Sequence, residues 1–288
     1  MKIYDISGMV ATKVYNKAGG ELAKIYTTSG QEIVMRSLPF SIMTYNVGQW
    51  YIGNTQPVPS HKKSEYYILQ SSTIEDNPVD VMFVQEYLDI WCEDNSPASE
   101  LIDLGFDNQE ITNPTGYIGH SICTNGYEIK NYTSNNFSQN SGSYPTFETA
   151  IITVDGTDIY VINTHNDFRL AYQTINITDL LNTIASYNYF ILCGDFNIDL
   201  DTVDTTGAQY KNSVQRFLDA GYNVGNCVVD WVPTYYATEY PTGGKFTDQI
   251  VTSPNIDIVS IRAFTEKLTD EIGDKIDHIP LIANLIIH

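Results

Sequence analysis

Basic side chains are scarce in this chain: 15 lysines and arginines stand against 35 aspartates and glutamates in 288 residues, a formal charge of -20. A protein this acidic has no broad basic face, which argues against a non-specific nucleic-acid binder held by charge alone. It does not exclude a nuclease, because a bound divalent cation can supply the local positive charge that the side chains lack. Arginine is rarer still, with only Arg36, Arg169, Arg216 and Arg262. The four cysteines, Cys92, Cys123, Cys193 and Cys227, show neither paired zinc spacing nor the density of a disulfide scaffold, and read mostly as core thiols. No stretch approaches the roughly 18 apolar residues of a membrane span. The opening MKIYDISGMVATK has no apolar segment of the secretory kind. The expectation is a soluble chain without classical secretion, cytoplasmic by default.

Apolar residues make up 42% of the chain, enough for one large domain or one domain with an appendage. Residues 1–36 carry an 11-residue repeat: Lys2-Ile3-Tyr4 with Gly8, Lys13-Val14-Tyr15 with Gly19, and Lys24-Ile25-Tyr26 with Gly30, while Glu21-Leu22 returns as Glu32-Ile33. Short strands between glycine turns satisfy this pattern, so a small β-meander is predicted. Three short strands have little core of their own. The segment serves either to dock on another protein or to cover an edge of the main domain, which is expected over residues 37–288.

Within that domain, Phe190 to Asn197 reads FILCGDFN, an apolar run that ends by delivering a carboxylate at Asp195 and an amide at Asn197. Residues two apart on an extended chain face the same way, so both groups are expected at one pocket. Other apolar runs end similarly. Leu38 onward ends at Asn46, Val79–Val84 at Gln85-Glu86, Asp158–Thr164 at His165, and Phe246 leads into Asp248; Asp277-His278 precedes a final strand through Ile287. Further strands are expected over Ile118–Thr124, Phe147–Val154 and Ile256–Ile261. Helices are expected over Ser64–Ile74, Ser99–Leu104, Ala171–Tyr187 and Gln209–Ala220, and an exposed Asn/Ser-rich loop over Asn131–Ser143. Strands and helices in alternation, with polar groups at strand ends, follow an α/β logic.

Strand-end Asn and Asp are common turn formers, and a single His is commonly structural. Together these groups supply what metal-assisted phosphoester hydrolysis needs: oxygen ligands for a hard cation, an imidazole to take a proton from water, an acid to orient it, and donors for phosphoryl oxygens.

The ordered set Thr44-Tyr45-Asn46, Gln85-Glu86, Gly119-His120-Ser121-Ile122, Asn163-Thr164-His165, Gly194-Asp195-Phe196-Asn197, Pro233-Thr234-Tyr235, Thr247-Asp248-Gln249-Ile250 and Asp277-His278-Ile279-Pro280 resembles the endonuclease/exonuclease/phosphatase superfamily, over about residues 38–288. The resemblance implies a DNase I-like α/β fold: a four-layer sandwich of two mixed β-sheets flanked by helices, with the site at one end of the sheets. It implies Glu86 as the main Mg²⁺ or Mn²⁺ ligand, with Asn46 and Asp277 close to the metal. It further implies His278 as general base held by Asp248, Asp195 positioning the attacking water, and Asn197 and His165 on the phosphoryl oxygens. Asn46 also belongs to the implied substrate-binding set.

The chain departs from the family in two places. His120 stands where small or amide residues are common, and Tyr87-Leu88 rather than an arginine follows Glu86. Lys245, between glycine and phenylalanine, is a loop lysine or a phosphate contact. The leading expectation is a metal-dependent phosphodiesterase acting on DNA or RNA. A sphingomyelinase-like or inositol-phosphatase-like hydrolase is the alternative, and a non-catalytic assembly protein a third.

Overall fold

The structure, a computed structural model, describes residues 9–11, 24–27, 32–34, 39–47, 72–87, 104–112, 119–139, 146–198, 215–225, 247–263 and 278–288. Near the N-terminus, β1 (Met9–Ala11), β2 (Lys24–Thr27) and β3 (Glu32–Val34) form an antiparallel three-stranded meander. The Lys24-Ile25-Tyr26 run of the repeat lies in β2, and its Glu32-Ile33 run in β3. The remaining strands build two six-stranded sheets. One has the order β12 (Asn223–Val224), β13 (Asp248–Thr252), β11 (Phe190–Asp195), β10 (Thr157–His165), β9 (Thr146–Val154) and β8 (Lys130–Asn136). The other runs β14 (Ile256–Ala263), β15 (Leu281–Ile287), β4 (Phe40–Asn46), β5 (Val81–Tyr87), β7 (Gly119–Thr124) and β6 (Asn108–Thr112). Both are mixed, because β10 and β11 run parallel, as do β4 and β5, among antiparallel neighbours.

Alternation along the strands sorts the side chains into three cores. Phe40 and Ile42, Val81 and Phe83, Ile159 and Val161, Ile191 and Cys193, and Leu281, Ala283 and Leu285 all meet between the sheets. Their neighbours in sequence point outward. Ile162, Phe190 and Leu192 pack under helix α1 (Leu170–Ile184) through Ile177, Leu180 and Ile184. On the far face Met43, Tyr45, Met82, Val84 and Cys123 pack with Ile74 of the helical turn 72–75. Three apolar layers separating helix, sheet, sheet and helix are the four-layer sandwich that the family resemblance implied. Full burial of each such Ile, Leu, Val or Phe contributes about 1.5–3 kcal/mol. Central strands with apolar residues on both faces therefore read as continuous hydrophobic runs.

The sequence missed edge strands. Residues 131–136 of the segment Asn131–Ser143, expected as a loop, belong to β8, which pairs with β9 and exposes most of its polar side chains. The strand β6, Asn-Gln-Glu-Ile-Thr, was also not foreseen, and it too lies at an edge. An edge strand has one neighbour and buries little, so its composition is that of a loop. The helix expected over Ala171–Tyr187 ends at Ile184, and Tyr187 instead stacks on Tyr160 with ring centroids 3.7 Å apart. Of the helix expected over Ser64–Ile74, the described part is helical from 72, and of Gln209–Ala220 from 215 to 219. No helix among the described residues is long and apolar enough to cross a membrane.

Gly194 is required where β11 meets β10. Its φ is +144°, and a Cβ built there would lie 1.9 Å from the Thr164 carbonyl oxygen, which belongs to the rigid backbone of a paired strand. Gly194→Ala is therefore expected to destabilise the fold by about 2–5 kcal/mol, combining backbone strain and overpacking. Thermal or denaturant unfolding checks this, and a variant with wild-type stability would contradict it.

Candidate active site

The inward rows that are apolar in the middle of the sandwich become polar at one end. In the first sheet the neighbouring strands β10, β11 and β13 place His165, Asp195 and Asp248 in register, His165 opposite Asp195 and Asp195 opposite Asp248. In the second sheet β4 ends at Asn46, and β5 delivers Gln85 and Glu86 beside it. His278 lies just ahead of β15, the other neighbour of β4. Six of the residues singled out from the sequence thus converge from two sheets on one cleft.

Their contacts form a connected set. His278 Nδ1 lies 2.8 Å from Asp248 Oδ2. Since a carboxylate accepts, this assigns the ring proton to Nδ1 and leaves the Nε2 lone pair facing the cleft. Asn46 Nδ2 lies 3.4 Å from that nitrogen, and the same amide donates to Asp195 Oδ2 at 3.0 Å and to Glu86 Oε1 at 3.3 Å. Asp195 Oδ2 is 3.6 Å from His278 Nε2 and 3.6 Å from His165 Nε2. The latter is also 3.7 Å from Glu86 Oε1. These separations are too long for direct hydrogen bonds and frame a space lined by two imidazoles and two acids.

Backbone conformation fixes the aim of two members. Glu86 has φ +54° and Asn197 φ +51°. Left-handed residues cost energy that surrounding structure must offset, and they concentrate at functional sites. Asn197 donates its backbone N–H to Asp195 Oδ1 at 2.7 Å and its side-chain N–H to the Asn166 carbonyl at 2.8 Å. The amide expected to reach for substrate is thus engaged in holding the Asp195 turn.

Electrostatics follow from burial. Burial pushes the Asp195 carboxyl from 3.8 up to about 7; Asp248 adds to the push, while His278, the Asn197 N–H and Asn46 oppose it. Burial also holds His165 below its ordinary value, aided by His278 and against the pull of Glu86.

One layer deeper, a buried polar ladder crosses between the sheets. Gln85 Nε2 donates to Asn163 Oδ1 at 2.6 Å, and Asn163 Nδ2 donates to the Val84 and Ser121 carbonyls and to Glu148 Oε2. Tyr132 donates to Glu148 Oε1 at 2.6 Å. Glu148 was missed from the sequence, yet it extends the inward row Val154, Ile152, Ala150 by one step of two, so alternation alone contained the signal. Asp277, Lys245 and the segment Pro233-Thr234-Tyr235 lie outside the described residues.

A hard divalent cation would find oxygen donors here in the Glu86 carboxylate, which is 18% exposed, and in Asn46. Among the described residues no group of three or more His, Cys, Asp or Glu side chains is arranged to hold a metal. Mg²⁺ keeps several waters and takes one or two protein carboxylates, so this donor set fits it better than a softer ion that demands a closed cage.

No protein-family model and no curated protein matches the chain. Solved structures do match in fold. An endonuclease/exonuclease/phosphatase from Bacteroides vulgatus is 14% identical over 88% of this chain and 100% of its own, with a TM-score of 0.66. An AP endonuclease from Archaeoglobus fulgidus is 15% identical over 85% of this chain and 98% of its own, at 0.62. The human Nocturnin catalytic domain with bound sulfate is 16% identical over 87% and 95%, at 0.63. With two mixed sheets face to face and polar strand ends gathered at one end, the chain has the DNase I-like fold of the endonuclease/exonuclease/phosphatase superfamily.

Proposed function

We propose that the chain is a divalent-metal-dependent phosphodiesterase, and that its substrate is a nucleic acid. The observation that carries the reading is His278, held by Asp248 at 2.8 Å and turned toward Asp195 in the cleft that also contains Glu86. An imidazole whose Nδ1 proton is fixed by a carboxylate is a general base at Nε2. In this mechanism a water held against both Nε2 and the Asp195 carboxylate loses its proton to His278 as it attacks phosphorus in line with the leaving oxygen. His165, opposite, donates to a phosphoryl or leaving-group oxygen. Asn46, bridging Glu86, Asp195 and His278, keeps the three groups in one geometry. Mg²⁺ or Mn²⁺ on Glu86 and Asn46, with Asp277 in support, would supply charge stabilisation for the phosphoryl oxygens.

The choice of nucleic acid rests on Phe168. It follows His165 by three residues on the turn before α1, yet it is 63% exposed, with the Arg169 guanidinium 5.2 Å from its ring centroid. Its backbone is tied to the site, because Gln173 Nε2 donates both to the Phe168 carbonyl and, at 2.6 Å, to the Asn197 carbonyl. An exposed aromatic ring three residues beyond His165, on a backbone tied to Asn197, suits a stacking platform for a base beside the scissile phosphate. The alternative, a lipid or soluble phosphoester, draws on the charge of -20 and on Tyr87 following Glu86 where an arginine would grip a nucleic-acid backbone.

Plasmid nicking in Mg²⁺ or Mn²⁺ is expected, and His278→Ala is expected to reduce it by about 10²- to 10⁴-fold without loss of fold. Near wild-type nicking by that variant would sink the mechanism. Phe168→Ala is expected to raise KM for oligonucleotides about tenfold while leaving hydrolysis of bis-nitrophenyl phosphate unchanged; equal losses on both would remove the stacking role. Asp195→Asn is expected to lose activity and gain stability. The folded carboxyl titrates near 7 and the unfolded one near 3.8, so the folded state binds the proton more tightly. Wild-type stability therefore falls as pH rises between those values. In metal-free buffer the Tm of the variant should exceed that of the wild type most above pH 7, and the gap should close at acid pH.

A further inference from the structure

His120 has no part in the mechanism above, and its surroundings give it one. Ile122 on β7 belongs to the core between the sheets, so alternation turns His120 to the same inner face, toward the cleft end of the sandwich. Pairing of β5 with β7 passes from Val84 opposite Ser121 to Tyr87 opposite Gly119. Gln85 and Glu86 on β5 therefore face His120 alone, and this is the bulge that gives Glu86 its φ of +54°. Across the gap His120 meets His165 edge to face, with ring centroids 5.7 Å apart and planes at 85°. The ring is fully buried, and among the described residues neither of its nitrogens has a hydrogen-bond partner.

A buried imidazole with both nitrogens unmatched is costly, and such groups are nearly always satisfied by protein, water or ligand. We propose that His120 is a further substrate-binding residue of this site, donating its one ring N–H to an oxygen of the phosphoryl group that His165 also faces. This rests on the phosphoester reading. The residue suits the task because burial, with His165 beside it, lowers its pKa to about 3, so at working pH it is a neutral ring with one N–H to give. A neutral donor adds a hydrogen bond to the phosphoryl group without forming an ion pair with Glu86 or Asp195. In a chain with 35 acidic and 15 basic residues, a neutral donor serves an anion without drawing on the few basic side chains.

His120→Phe keeps the ring and removes both nitrogens, while His120→Gln restores an N–H. On bis-nitrophenyl phosphate, His120→Phe should lose about tenfold to a hundredfold in kcat/KM and His120→Gln should recover part of it. The Tm of the Phe variant should equal or exceed that of the wild type, because two unmatched polar atoms leave the core; a purely structural role would lower both. Independently of any variant, titrating inorganic phosphate into the full chain with Mg²⁺ should shift the His120 ring resonances in ¹H–¹⁵N spectra. Unshifted His120 signals while His165 or His278 moves would overturn the proposal, as would unaltered kcat/KM in His120→Phe; both results are those expected of a ring that merely holds a water. His278→Ala, run alongside, separates the two ideas. Activity lost there but kept in His120→Phe refutes the role of His120 alone, whereas a wild type that hydrolyses no diester and binds no phosphate refutes both.

Discussion

The constraint on which the rest depends is the packing of two sheets face to face. Strand alternation then dictates that every second residue of each central strand enters one shared interior. Over most of its length this interior is filled by rows such as Phe40-Ile42, Val81-Phe83, Ile159-Val161 and Ile191-Cys193. At one end the same rows continue as Thr44 and Asn46, Gln85, Asn163 and His165, and Asp195. The site is therefore not an addition to the core but its last rungs, and the apolar rungs below set the spacing at which those polar groups meet.

Between the apolar core and the cleft lies the ladder of Gln85, Asn163 and Glu148. Buried amides and acids are tolerable only when matched; here Gln85 and Asn163 are bonded to each other across the gap, and Glu148 is bonded to Asn163 and Tyr132 on its own sheet. Its consequence is mechanical. A polar layer with fixed partners allows one relative placement of the two sheets, and hence one distance between the side carrying His165, Asp195 and Asp248 and the side carrying Asn46, Glu86 and His278. Gly194 serves the same end, since only a residue without a side chain lets β10 and β11 approach closely enough to align His165 with Asp195.

Charge is arranged sparingly. Two buried acids, Asp195 and Asp248, stand near each other with His278 between them, and burial together with the Asp248 charge disfavours the ionised form of Asp195. Burial likewise disfavours charge on His165 and His120. Under the function proposed above, such a site would meet an anion with neutral donors and an external cation, in keeping with the few basic residues of the chain.

The central strands were legible in the sequence because residues buried on both faces must be apolar, and Phe190-Ile191-Leu192-Cys193 or Leu281-Ile282-Ala283 have no other reading. The polar residues that end those runs were legible as candidates for the same reason. The edge strands β6 and β8 were not, since an edge needs no apolar face, and Asn131–Asn136 differs little in composition from a loop. Local sequence thus determined which residues face inward and where each run turns polar. Tertiary structure decided which ends share a cleft, that the Asn197 amide holds a turn, that Glu148 is bonded to Asn163, and that the His120 ring meets that of His165. Those facts depend on register between strands far apart in the chain, and register is set by the packing of whole sheets rather than by any short stretch of residues.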